Sequence, residues 1–267
     1  MSENPLAYLE KLGGAGDGPH DIATAALMLA ALDHPGLPLN PFRAHLDEIA
    51  DAMKSQVAMI TRVADGAQAV TILLTTRHGY DGDRFHYQDP KNADLISVIE
   101  RRRGLPVSLG ILYMHAARAA GLTASGLNTQ NHFLVRLTHR HDDVTLDPFN
   151  GGTLLAAEAP LPAALGDAHL AQTVGDTDVL LRLQNNLKIR ALEHGNGARA
   201  LEVVSRMAVI APGHAEVWFD LARLNDEAGV LGAARKAYER CLELTQAGEA
   251  LYNETVLSLS QLKRRLN

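Results

Sequence analysis

Ser108, His132 and Asp147 are of the types that together carry out nucleophilic acyl chemistry. A serine hydroxyl is scarcely ionised near neutral pH, so it attacks a carbonyl only with a base in hydrogen-bond reach. His132 is suited to take that proton, and Asp147 to fix the imidazole tautomer. Ser108 comes two residues after Pro106, in the first turn of a predicted helix. Backbone N–H groups are unpaired there and the helix dipole is positive, so a developing oxyanion is stabilised at such a place. The same residues have plain readings: a capping hydroxyl, a histidine at a strand start, and a turn aspartate before Pro148.

The elements that must bring them together are readable from periodicity. Asp21 to about Leu32 reads as a buried helix, and Asn40 as a cap with Pro41 at the first helical position. Leu46, Ile49, Ala50, Met53, Val57 and Ile60 form one stripe and predict a helix over 42–63. Further helices are predicted over 65–76 and 92–103, the latter closed by Gly104 in a left-handed cap. Pro106 then opens the helix that carries Ser108. After Gly121 the pattern turns to short strands, "TASGL", "HFLVRL" and "DVTLDPF", with a hairpin at His139–Asp143.

From Asp176 the chain returns to helix and repeats itself. Leu187, Ala191, Ala200, Val204, Met207 and Pro212 recur as Leu221, Asn225, Ala234, Tyr238, Cys241 and Gln246, an offset of 34, the period of tetratricopeptide repeats. Trp218, Leu221, Ala222, Ala234 and Tyr238 fit the large and small positions of that pattern; Asn225 and Gln246 depart from it.

Apolar residues make up 46% of the 267, enough for a substantial core, and aromatics only 4%, which favours packed helices. The net charge of −6 argues against broad nucleic-acid binding. The single cysteine, Cys241, allows no internal disulfide and no cysteine zinc site, and fits a reducing cytoplasm. No leader pattern opens the chain, and the apolar stretch from Asp21 is too short and interrupted to span a bilayer.

Other candidates are weighed against plain roles. His115 lies two helical turns beyond Ser108, about 10 Å away, and reads as structural. His139 and His141 flank Arg140 at the hairpin tip, where a metal site would need a third ligand and a solvated turn needs nothing. Arg101, Arg102 and Arg103 read as a solvated helix end, with one of them able to turn inward to the Asp89 region. Asn128, Thr129, Gln130 and Asn131 are either substrate-amide donors or a loop. Cys241 and Trp218 read as packing residues.

Five motifs then point one way: "Y-x-D-P-x-N", "R-R-x-G-x-P-x-S-L-x-x-L-Y", "G-L-x-x-x-G", "N-H-F-L-V-R" and "L-D-P-F-N-G-G". Over Tyr80–Gly152 the chain resembles the transglutaminase-like core of the SirB1 family, in which tetratricopeptide repeats follow. The resemblance implies a papain-like site at Ser108, His132 and Asp147, with serine where the enzymes carry cysteine. An alcohol cannot form the thiolate–imidazolium pair of such enzymes.

The expected protein is α+β and mainly helical. A transglutaminase-like core with a small antiparallel sheet (76–170) follows an N-terminal helical segment (1–75), and tetratricopeptide-like helices (176–267) come last. Two functions stand side by side. One is a degenerate site, a pseudoenzyme, that binds a protein or peptide through cleft and repeats. The other is an active Ser-His-Asp hydrolase or acyltransferase for amide or ester bonds. No cofactor, metal, nucleic acid or membrane is expected, and the expected location is cytoplasmic.

Overall fold

The computed structural model describes residues 4–129, 132–155 and 172–266. Two compact units are present: residues 17–183, and the chain up to Gly16 taken with residues from Gln184 on. Helix α1 (Pro5–Gly14) belongs to the second and is described with it.

In the first unit, α2 (Ile22–Ala31) is capped by Asp21, whose Oδ1 accepts from the Thr24 N–H at 3.1 Å. Nearly all of α2 is buried, as its all-round apolar sequence requires. Helix α3 (Asn40–Lys54) buries the stripe Phe42, Leu46, Ile49, Ala50 and Met53. It stops nine residues short of the predicted end, giving way to a single 3₁₀ turn, Val57–Met59, and extended backbone at Ile60. The cause is a new start signal: the Asp65 carboxylate accepts from the Arg62 N–H at 3.1 Å and opens α4 (Val63–Thr71). Val57 and Met59 are left exposed, so the apolar stripe read there has no core to face. Helix α4 runs on into one π-helical turn, Ile72–Arg77.

Strand β1 (Asp81–Gly82) pairs in parallel with β2 (Arg103–Gly104). Between them a 3₁₀ turn, Pro90–Ala93, precedes α5 (Leu95–Arg101), which Asp94 caps through the Ser97 N–H at 2.6 Å. The left-handed cap falls on Arg102 (φ 56°), not on Gly104. Arg102 bonds His45 and Tyr80 and lies over the Tyr80 ring at 4.8 Å, contacts that offset the modest strain of a non-glycine there. Gly104 is needed for closeness instead: a Cβ on it would stand 2.6 Å from Ser108 Oγ.

Helix α6 (Pro106–Ala119) is buried along almost its whole length. The antiparallel sheet behind it has the order β6-β5-β4-β3-β7, formed by β3 (Thr123–Asn128), β4 (Phe133–His139), β5 (Asp142–Asp147), β6 (Thr153–Leu155) and β7 (Gln172–Val174). The hairpin between β4 and β5 turns at Arg140 (φ 57°) as predicted, while β6 and β7 add edges that the sequence did not reveal. Helix and sheet meet closely because Gly110 and Gly126 both abut the Phe133 ring; a Cβ on either would lie within 2.6 Å of it. Burying that ring contributes about 2–3 kcal/mol. Asp176, at the start of α7 (Asp176–Glu193), takes both hydrogen bonds of an Arg118 fork, at 2.7 and 2.8 Å, and a third from the His20 N–H.

In the second unit, α8 (Gly197–Ile210), α9 (Ala215–Glu227), α10 (Leu231–Leu244) and α11 (Ala250–Leu266) form the predicted helical repeats. The 34-residue offset is visible in burial: Ala200 and Ala234, Val204 and Tyr238, and Met207 and Cys241 are all core residues. The Trp218 indole donates to the Pro212 carbonyl at 3.0 Å. Helix α1 packs on α8, and only glycine fits at Gly13, where a Cβ would stand 2.0 Å from the Val209 carbonyl oxygen. The protein is α+β and mainly helical, with a small antiparallel sheet. No helix among the described residues is long and apolar enough to cross a membrane.

Candidate functional site

The register of β4 on β5 runs from His139↔Asp142 to Val135↔Leu146. One pair further, Asp147 comes opposite Leu134, on the same sheet face as His132 two residues along. Diagonal neighbours on one face are within side-chain reach, and the His132 Nε2–Asp147 Oδ1 distance is 2.8 Å. Both residues are buried.

Asp147 also caps the 3₁₀ turn Pro148–Asn150. Its Oδ1 accepts from the Phe149 and Asn150 N–H groups at 3.1 and 3.2 Å, and its Oδ2 from Asn150 Nδ2 at 2.7 Å. Burial works to raise its pKa, but the bonds from His132 and Asn150 and the charge on His132 outweigh it and hold the carboxyl below its usual range. An ionised carboxylate only accepts, so Nε2 carries the imidazole proton and Nδ1 is the free base in neutral His132.

The His132 backbone is held as firmly as its ring. Its N–H donates to Thr129 Oγ1 at 3.0 Å, and its carbonyl accepts from Thr129 Oγ1 at 2.7 Å and Arg182 at 3.0 Å. Thr129 therefore supports the site as a loop residue; Gln130 and Asn131 lie outside the described residues. Phe149 meets the His132 ring edge to face at 6.0 Å, and Tyr87 packs on Phe149 at 5.7 Å. Phe85, two residues before Tyr87, is 94% exposed.

Ser108 is the third residue of α6 and is 0% exposed. Its hydroxyl donates to the Asn92 carbonyl at 2.7 Å and the Leu105 carbonyl at 3.0 Å, and makes no hydrogen bond to His132. It does not cap the helix: the cap position is Leu105, without a side-chain bond. The structure thus joins His132 to Asp147 and commits the Ser108 proton to the backbone.

The other candidates take structural roles. His115 bonds the Leu46 carbonyl at 3.0 Å. Arg101 turns inward to Asp83 at 2.8 Å and Asp89 at 3.5 Å, and Arg103 bonds the Gly79 carbonyl at 3.0 Å. Cys241 is buried in the repeat core, its thiol pushed up by burial.

A second cluster was not singled out by the sequence. Arg102 Nη1 donates to His45 Nε2 at 2.6 Å and to the Tyr80 hydroxyl, which itself lies 2.8 Å from Nε2. On the other side, His45 Nδ1 is 3.5 Å from Glu48 Oε2, and the His78 ring meets the His45 ring at 5.0 Å. Burial, with the Arg102 and His78 charges, holds the His45 pKa down to about 4, and burial lowers that of His78. Burial pushes Tyr80 up to about 12. The one sequence signal was the His45–Glu48 spacing of three, which sets both on one helix face.

Helix α6 thus packs on an antiparallel sheet that carries Asp147 at the end of β5 and His132 one residue before β4, and helical repeats follow in the chain. Residues 40–188 match the transglutaminase-like superfamily, and residues 187–256 match the tetratricopeptide repeat. A UPF0162 protein of Xylella fastidiosa (strain Temecula1) is 30% identical over 250 residues, covering 90% of this chain and 89% of its own. F-box only protein 21 of Mus musculus is 30% identical over 99 residues, 37% of this chain and 15% of that one. A crystal structure of menin, which reveals its binding site for the mixed lineage leukemia protein, superposes with a TM-score of 0.55 at 12% identity, covering 98% of this chain and 66% of menin. At that identity the likeness concerns fold alone. The chain belongs to the transglutaminase-like superfamily and to the UPF0162 family.

Proposed function

We propose that this protein is a binding module on a transglutaminase fold, with serine where the fold's enzymes carry their cysteine. Its ligand is a peptide or protein segment bound beside the His132–Asp147 pair, and the tetratricopeptide helices supply a further contact surface. One observation carries the reading: the Ser108 hydroxyl is fully buried and donates to the Asn92 and Leu105 carbonyls rather than to His132. A nucleophilic hydroxyl must hand its proton to the base, and this one faces acceptors that cannot remove it. The finer placement in the SirB1 family rests on the motif set, and a reducing cytoplasmic setting on the single buried thiol.

A second reading, a Ser-His-Asp hydrolase or acyltransferase, is favoured by the intact His132–Asp147 pair, whose free Nδ1 is the atom a nucleophile would use. Electrophilic acyl probes separate the two. Under the binding reading, wild type and Ser108→Ala are alike unlabelled by fluorophosphonates, because the Ser108 hydroxyl is buried and turned to backbone carbonyls. Wild-type labelling that Ser108→Ala abolishes would establish the hydrolase instead. Failure of the full chain to bind any sequence on a peptide array would remove the binding reading.

A further inference from the structure

We propose that His45, Glu48 and His78 form a binding site for a divalent first-row metal ion of the Zn²⁺ kind, separate from the His132–Asp147 pair. Their ligand atoms all lie within 4.8 Å of one another, the one grouping of three such residues found among the described residues. Three protein ligands of the type His₂Glu, with a fourth position open, is an established zinc set. Imidazole nitrogens with a single carboxylate select zinc-like ions over magnesium or calcium, which want oxygen.

Each ligand is placed for this by its element. His45 and Glu48 stand three apart on α3, so they project together. His78 directly follows the π-helical turn Ile72–Arg77, a distortion that re-aims the residue after it and recurs at functional sites. Its Nε2 is buried and has no hydrogen-bond partner, an uncommon condition for a buried polar atom. The two imidazoles stand nearly perpendicular, at 86°.

Zn–N and Zn–O bonds of about 2.1 Å would set the donors roughly 3.4 Å apart. The required contraction is therefore at most about 1.4 Å, and the His45 Nδ1–Glu48 Oε2 distance of 3.5 Å needs almost none of it, which leaves the approach to His78 as the adjustment. A cleft of about 430 Å³ lined by Phe42, His45, Glu48 and Arg102 gives the ion a way in.

Outer contacts orient the site. A guanidinium only donates, so the Arg102 bond leaves His45 Nε2 unprotonated and its proton on Nδ1, facing Glu48. Coordination at Nδ1 moves that proton to Nε2, where the Tyr80 oxygen accepts it. Arg102 gives up its bond to Nε2, which can no longer accept, and keeps its bond to the Tyr80 oxygen. Hydrogen bonding of a ligand histidine's far nitrogen is the usual outer support of such sites. The Arg102 charge weakens the affinity without occupying the ligand face.

The test titrates the chelator-treated full chain with Zn²⁺ by calorimetry and with Co²⁺ by visible absorption. One equivalent binds, and Co²⁺ develops ligand-field bands of a nitrogen–oxygen site. His78→Ala and Glu48→Gln each weaken binding at least tenfold with unchanged circular dichroism, whereas His139→Ala/His141→Ala binds as wild type. Glu48→Gln alters an exposed side chain, so it reports even if His78→Ala misfolds. The proposal is overturned if the wild type shows no saturable binding, if Glu48→Gln binds as tightly as wild type, or if the hairpin variant loses the ion.

Discussion

Replacing Ser108 with alanine tests what its hydroxyl does. Each of its acceptors keeps a second donor: the Asn92 carbonyl also accepts from the Leu105 N–H, and the Leu105 carbonyl from the Leu109 N–H, both at 3.0 Å. No carbonyl is orphaned, so the loss is one neutral hydrogen bond, about 1 kcal/mol. With a urea m-value of about 2 kcal/mol/M, the midpoint falls by roughly 0.5 M. The assay must observe the right unit. Trp218 reports the repeats, so its fluorescence serves as the internal reference and stays put, while circular dichroism sees both units and the part of its transition that moves against that reference belongs to the 17–183 unit. A hydroxyl held in wait for chemistry is strained, and removing it stabilises a fold. A stabilised Ser108→Ala would therefore refute the structural reading of this residue.

Asp147 has a depressed folded pKa, so its stabilising contribution is present above the unfolded value near 4 and is lost as pH falls through the folded one. Asp147→Asn is less stable at pH 7 and shows a shallower loss of stability on acidification below pH 4, measured by urea titrations across pH. Gly104→Ala places a methyl 2.6 Å from Ser108 Oγ and 3.3 Å from Leu109 and Val98, and destabilises by about 1–3 kcal/mol in the same assay. Arg118→Ala strips the forked partner from the buried Asp176 and costs about 3 kcal/mol; Arg118→Lys restores only part of it, because an ammonium lacks the fork.

Strands β4 and β5 were legible because "HFLVRL" and "DVTLDPF" are short β-like runs separated by a turn. The repeat was legible because the 34-residue spacing returns small and large side chains to the same helical positions. What escaped depended on contacts distant in the chain. Arg102 displaced Gly104 from the helix cap through His45 and Tyr80, 57 and 22 residues away. The stripe over 42–63 continued past a helix end that a single Arg62–Asp65 pairing decided. Residue type marked Ser108 as a candidate, but the Asn92 carbonyl that receives its proton belongs to a turn 16 residues earlier.

The division of the chain carries a consequence for its synthesis. Residues 17–183 are contiguous, so that unit has everything it needs to fold once Leu183 clears the ribosome. Helix α1 emerges before that unit yet belongs with residues from Gln184 onward, its Gly13 seated against Val209. At about 5–20 residues per second it waits on the order of ten seconds for that seat to be translated, with Leu9 and Leu12 uncovered meanwhile. A nascent chain stalled before Val209 would present this helix, unlike anything in the core, to chaperones.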